Sequence, residues 1–342
     1  MHWVKARPNR LAGLSQAGWA WQTEGMRHLL LAAVAAAALL LPVHAEEAAP
    51  APSPGEIVDA APAGEWVRIA ASDLLVMDLA PDAAGRPRRV VIQLMPPPFS
   101  QGWIGNIRKL AAAHWWDGTA ITRVQDNYVA QWGDPDGEDA AKAKPLPEGL
   151  ATVPESDYEQ PLDDQVRSAL RATGKSKSRD PYSDETMAFR GWPIAVDRKS
   201  QSAWPVHCYG MVGVGRNMSP DTGSGAELYV VIGHAPRHLD RNIALVGRVV
   251  SGIEHLSSLP RGTGPLGFYA DPAQRVPIAS VRLASDLPEA GRPAFEYLST
   301  ESDSFARYAD ARANRRDPFF IHPAGGADIC NIPVPVRAVV AQ

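Results

Sequence analysis

Residues 117–134 read Asp-Gly-Thr-Ala-Ile-Thr-Arg-Val-Gln-Asp-Asn-Tyr-Val-Ala-Gln-Trp-Gly-Asp. From Ile121 onward the stretch has strand character. As one continuous strand, alternation would put Ile121, Arg123 and Gln125 on the same face. A turn at Gln125-Asp126-Asn127 resets that phase, and residues 128–131 then begin a second strand. The hairpin gathers Arg123, Tyr128 and Gln131 around one surface. A guanidinium fork beside an aromatic ring and an amide suits a ligand that offers a peptide carbonyl and an apolar ring.

Working outward, residues 73–79 and 89–94 read as two strands joined by a Gly85-Arg-Pro turn, and Pro96-Pro-Pro98 stops the second. Residues 103–113 carry apolar side chains at Ile104, Ile107, Leu110 and Ala111. That spacing predicts a helix, closed by the turn at Asp117-Gly118. Strand patterns return at 209–214, 228–232, 243–250 and 278–283, with a short helix expected at 251–259. Residues 135–206 are polar and Pro-rich, with one expected helix at 163–172 and too few apolar residues for a separate core. They read as an insertion in a domain spanning 65–284. Residues 285–342 form a C-terminal extension with a helix expected near 304–315. No internal repeat is visible.

The chain has 342 residues, 45% hydrophobic and 21% charged, the balance of a globular protein. Its net charge of −4 lacks the basic excess of a nucleic-acid binder. The frequent Gly and Pro, with few long helical patterns, favour a turn-rich β architecture.

Met26-Arg27-His28 is a short basic start, residues 29–41 are an apolar run, and Val43-His44-Ala45 is a small-x-small site. That order is expected of a secretory signal peptide spanning 26–45, cleaved after Ala45. Thirteen apolar residues fall short of the roughly 20 that a membrane span needs, so no span is expected after signal removal. Residues 1–25 read as an over-extended N-terminus, and 46–64 as an Ala/Pro-rich linker, with order beginning near Glu65. Export makes an oxidising compartment, and there Cys208 and Cys330 could pair; two separate buried thiols are the alternative.

The hairpin resembles the signature of the cyclophilins, Phe-His-Arg-Val-x-x-x-Phe-Met-x-Gln-Gly-Gly-Asp. Here it reads Ile121-Thr122-Arg123-Val124, then Tyr128-Val129-Ala130-Gln131-Trp132-Gly133-Asp134. A second match follows at Gly225-Ala-Glu-Leu-Tyr-Val-Val231, which resembles the family's Gly-Ser-Gln-Phe-Phe-Ile strand. A third runs from Leu239-Asp240 to Gly247-Arg248-Val249. The departures are Thr122 for His, Trp132 for Gly, Tyr229 for Phe, His238 for Trp and Ile243 for His. The Tyr229 hydroxyl then needs a partner or water at the pocket floor. His238 argues against tight binding of cyclosporin-like ligands.

The resemblance implies a mainly β fold: an eight-stranded antiparallel barrel capped by two helices, with a shallow groove on its outside. It implies a peptidyl-prolyl cis–trans isomerase that acts on proline-containing polypeptides and needs no cofactor. Arg123 would be the catalytic arginine and Gln131 would bind the substrate backbone. Tyr128, Val129, Tyr229 and Leu239 would line the proline pocket, with His238 beside it. Val214-Gly215-Arg216 would correspond to the groove segment that usually reads Met-Ala-Asn or Met-Ala-Arg. The bacterial look of the Tyr-Val-x-Gln-Trp-Gly-Asp variant makes the periplasm the expected compartment. A peptide-holding chaperone module with little turnover is the competing reading.

Other patterns fail on inspection. His234 and His238 are four apart, but Pro236 between them disfavours the helix a zinc pair would need. Gly174-Lys175-Ser176 has Ala169 where a phosphate loop needs glycine. No nucleophile elbow is present for a hydrolase.

Overall fold

The computed structural model describes residues 50–172 and 180–339. The expected signal peptide lies outside the described residues. Among the described residues there are fifteen strands: β1 (Trp66–Arg68), β2 (Leu74–Leu79), β3 (Arg88–Leu94), β4 (Ala120–Val124), β5 (Val129–Gly133), β6 (Gln160–Pro161), β7 (Glu185–Phe189), β8 (Trp192–Asp197), β9 (Ser202–Pro205), β10 (Met211–Val214), β11 (Leu228–Val231), β12 (Leu245–Ser251), β13 (Val276–Leu283), β14 (Phe295–Leu298) and β15 (Val336–Ala338). The α-helices among the described residues are α1 (Pro54–Asp59), α2 (Gln101–Ala112), α3 (Asp164–Ala172), α4 (Glu254–Ser257) and α5 (Asp303–Ala313).

Eight strands close a barrel in the order β10-β11-β5-β4-β13-β2-β3-β12, every neighbour antiparallel. Closure leaves no sheet edge. Alternation fills the interior: Leu75, Met77 and Leu79 of β2, Val90, Ile92 and Leu94 of β3, Ala130 and Trp132 of β5, and Leu228 and Val230 of β11 belong to one buried cluster. The buried face of α2, with Trp103, Ile107 and Leu110, joins it. The shorter α4 adds Leu256.

Three segments differ from the sequence reading. The insertion carries α3, as expected, but also a four-stranded antiparallel sheet, β6-β9-β8-β7. Its strands were hidden by proline and tryptophan in short runs. Its buried residues, among them Trp192, Ile194 and Trp204, merge with the barrel cluster rather than forming a core of their own. The stretch 46–64 is not linker throughout: Ser53 caps α1 with a reciprocal Glu56 contact, and Ile57 packs with Leu298, Phe305 and Tyr308. Finally, β1 pairs with β14, which pairs with β15, so the start of the domain belongs to a sheet built with the C-terminal extension. Short-range patterns do not reveal pairings more than 200 residues apart.

A disulfide joins Cys208, just before β10, to Cys330 in the extension, with Cα atoms 5.1 Å apart. Among the described residues, no helix is long and apolar enough to cross a membrane.

Candidate active site

The β4–β5 register shifts between Ile121 and Arg123. This bulge breaks the simple alternation: Ile121 is fully buried in the barrel, whereas Arg123 faces outward and is half-buried. The expected turn is present, with Asn127 at φ 49° and the Tyr128 amide donating to the Gln125 carbonyl. Together the bulge and the turn bring Arg123, Tyr128 and Gln131 to one outer surface.

Three donors of the guanidinium are fixed. Nε donates to the Leu266 carbonyl at 2.6 Å, Nη1 to Gln131 Oε1 at 3.1 Å, and Nη2 to Gln125 Oε1. The cation also lies between two aromatic rings, 5.6 Å from the Tyr128 centroid and 5.5 Å from that of Phe268. Burial lowers the affinity of Arg123 for its proton, partly offset by Tyr128, yet a guanidinium stays charged in a protein. Of its five N–H groups, two have no partner among the described residues.

Beside this fork lies a compact apolar patch. Val129, Tyr229 and Val231 are buried there, flanked by Tyr128, Leu239 and Ile243. His238 stacks on Tyr128, rings 12° from parallel with centroids 6.4 Å apart. Gly215 touches the site through its backbone, its amide bonded to the Glu227 carbonyl. Arg216 stands at the rim, its guanidinium donating to the Asn242 and Asn217 carbonyls. Val214 is a correction: it is fully buried in the barrel interior, so the outward residue of β10 is Gly213. A Cβ at Gly213 would run into the Tyr229 ring, so the close approach of that ring requires glycine.

The Tyr229 hydroxyl has its partner. It is 2.8 Å from Nε2 of the buried His207, whose Nδ1 is 2.9 Å from Asp240 Oδ1. Arg237 donates to both Asp240 and Asp180, at 2.6 and 2.8 Å. Burial drives the Asp240 carboxyl up, but His207 and Arg237 outweigh it and hold the group below its ordinary range. Burial raises the Tyr229 phenol well above its ordinary value, so the ring stays neutral. His207 and Asp180 were not singled out from the sequence, because their partners lie 22 or more residues away.

The family profile described as "Cyclophilin type peptidyl-prolyl cis-trans isomerase/CLD" matches residues 100–283, more than half of the chain. The chain belongs to the cyclophilin family. It is therefore a peptidyl-prolyl cis–trans isomerase, of a family that binds proline-containing peptides. Among solved structures, cyclophilin AquaCyp293 from Hirschia baltica is similar at TM-score 0.61 and 21% identity, over 81% of this chain and 94% of that one, a likeness of fold. A cyclophilin type peptidyl-prolyl cis-trans isomerase from Cryptosporidium parvum aligns at TM-score 0.36 and 11% identity, over 61% of this chain and 97% of that one. No curated protein matches.

Two further residues of this cyclophilin site escaped the sequence reading. Phe268 lies in a Gly/Pro-rich loop without periodic pattern; it reaches Arg123 because that loop runs along β4, where the Tyr269 amide bonds to the Thr122 carbonyl and the Gly262 amide to the Val124 carbonyl. Glu227 sits inside the quoted Gly225–Val231 motif, at the position where the family strand has Gln. It accepts from Gln131 Nε2 at 2.9 Å.

Proposed function

We propose that this cyclophilin isomerises X-Pro bonds of exported polypeptides, with Arg123 stabilising the twisted amide and Gln131 holding the substrate backbone. Rotation about a peptide C–N bond costs about 18–20 kcal/mol because resonance holds it planar. Uncatalysed X-Pro bonds interconvert in tens to hundreds of seconds. At the twisted transition state the resonance is lost and a lone pair localises on the prolyl nitrogen. A donor aimed at that nitrogen binds the twisted form better than either planar form, which lowers the barrier. Arg123 suits this role because its fork is held by Leu266, Gln131 and Gln125, and two N–H groups remain for the substrate. The patch of Tyr128, Val129, Tyr229 and Leu239 takes the pyrrolidine ring.

The observation that carries this reading is the anchored, half-buried guanidinium beside that patch. A protease-coupled assay on an X-Pro peptide tests it. Arg123→Ala is expected to lower kcat/KM about 100-fold, or ~2.7 kcal/mol of transition-state stabilisation. A variant as fast as the wild type overturns the assignment.

Periplasmic export is supported by the basic, apolar and small-residue order of 26–45 and by a disulfide, which suits an oxidising compartment. N-terminal sequencing of the protein exported from a bacterial host should begin at Glu46; an uncleaved product retained in the cytoplasm argues against it.

A further inference from the structure

Glu227 immediately precedes β11, and its side chain lies across β5. A Cβ at Gly133 would be 2.5 Å from its Oε1, and one at Gly215 would be 2.9 Å from its own Cβ, so two glycines form the notch that holds it. Gln131 Nε2 is the one side-chain donor it receives among the described residues, and no cation pairs with it there. The amide thus bridges two charged groups. Its nitrogen faces the Glu227 carboxylate and its oxygen faces Arg123 Nη1.

We propose that Glu227 is a positioning residue that sets the orientation of the Gln131 amide, and through it the aim of Arg123, according to whether its carboxyl carries a proton. This rests on the reading of Arg123 and Gln131 given above. An ionised carboxylate offers only acceptors, so only the amide nitrogen can face it, and the amide oxygen must then face Arg123. A protonated carboxyl can instead donate to Gln131 Oε1. That turns the amide nitrogen toward the guanidinium, donor against donor, and Arg123 loses one of its three anchors. The substitution of Glu for an amide is what makes the device possible, because Gln at this position cannot change charge.

The surroundings tune the group to the useful range. Burial drives the Glu227 carboxyl up, opposed by the bond from Gln131 and assisted by Glu138 and Asp134, to about 7. Asp134 follows β5 and Glu138 belongs to the next turn. From β4 the facing charge is Arg123, beyond the amide. On the side of β10 the facing residue is Gly215, and the guanidinium of neighbouring Arg216 is committed to Asn242 and Asn217.

The experiment is a protease-free exchange measurement by NMR on an Ala-Pro peptide without titrating side chains, from pH 5.5 to 8.5. Wild-type kcat/KM is expected to rise about three- to tenfold with a midpoint near pH 7, the difference between a charge-assisted and a neutral hydrogen bond. Glu227→Gln is expected to be flat. A flat or falling wild-type profile, or the same midpoint in Glu227→Gln, overturns the proposal. Independently of any variant, the side-chain amide resonances of Gln131 in the wild type should titrate with that midpoint; resonances that do not move overturn it too. If Arg123→Ala retains full activity, the underlying reading fails instead, and the two failures are distinguishable.

Discussion

Two parts of the barrel's outer surface present apolar side chains. On β2 and β3 the outward residues are Leu74, Val76 and Val91, and they pack with Ile69, Ala284 and Phe295 beneath the C-terminal extension. On β5 and β11 the outward residues Val129, Tyr229 and Val231 are buried too, but what packs against them is the partly exposed Tyr128, Leu239 and Ile243 rather than the C-terminal extension, so this patch keeps a solvent-facing rim. The strand logic is the same in both places, since alternation sends every second side chain out of the barrel. One face is closed by more chain. The other ends in a fork of Arg123 and Gln131. An apolar outer face sealed by the extension contributes stability; one whose apolar rim stays partly exposed beside anchored polar groups is where an apolar ring with a peptide backbone can dock.

Perturbing the two faces should give opposite signatures. The largest expected effect lies on the covered side. The Cys208–Cys330 bridge ties the extension to the barrel across 122 residues, and the double Ser variant should lose about 4–5 kcal/mol in chemical denaturation. A loss below ~1 kcal/mol would mean that the cover is held by packing alone. Phe295→Ala should cost about 3–4 kcal/mol by opening a cavity between extension and barrel, with kcat/KM of the folded protein unchanged. A drop in catalysis matching the loss of stability would erase the distinction between the faces.

On the open side, Glu227 should leave a mark on stability as well as on rate. Its folded-state value, about 7, lies above the ordinary 4.5, so between those values the folded protein binds more protons than the unfolded chain. Stability from this group therefore falls as pH rises from about 4.5 to 7, by up to ~3 kcal/mol, and is level outside that window. Urea unfolding of wild type and Glu227→Gln across pH 4–8 reads the difference; parallel curves would refute it. The smallest stability effect is expected at Arg123. Arg123→Ala should change unfolding free energy by less than ~1 kcal/mol despite its loss of rate, because the side chain is half-exposed and stabilises no core residue. A large destabilisation would make Arg123 a structural residue like those of the covered face.

Much of the site could be read directly. The spacing of Arg123, Tyr128 and Gln131 within one hairpin is local, and so are the strand of Tyr229 and the turn of Leu239. What could not be read depends on distance or phase. The bulge after Ile121 and the outward phase of β10 decide that Arg123 and Gly213 face the groove while Ile121 and Val214 do not. Phe268 comes from a loop 145 positions beyond Arg123, and His207 meets Tyr229 only because β10 and β11 pair. The strands of the insertion and the pairing of β1 with β14 were equally invisible.

By itself, then, the sequence determined the barrel strands, the family and the hairpin that carries the guanidinium, because alternation, turn chemistry and motif spacing are properties of neighbouring residues. Tertiary structure decided which outer face lies under the extension and which keeps a partly exposed rim, and it placed a half-buried acid, Glu227, against the Gln131 amide that meets Arg123. Those outcomes depend on desolvation and on contacts between distant segments, and neither is written in any short stretch of chain.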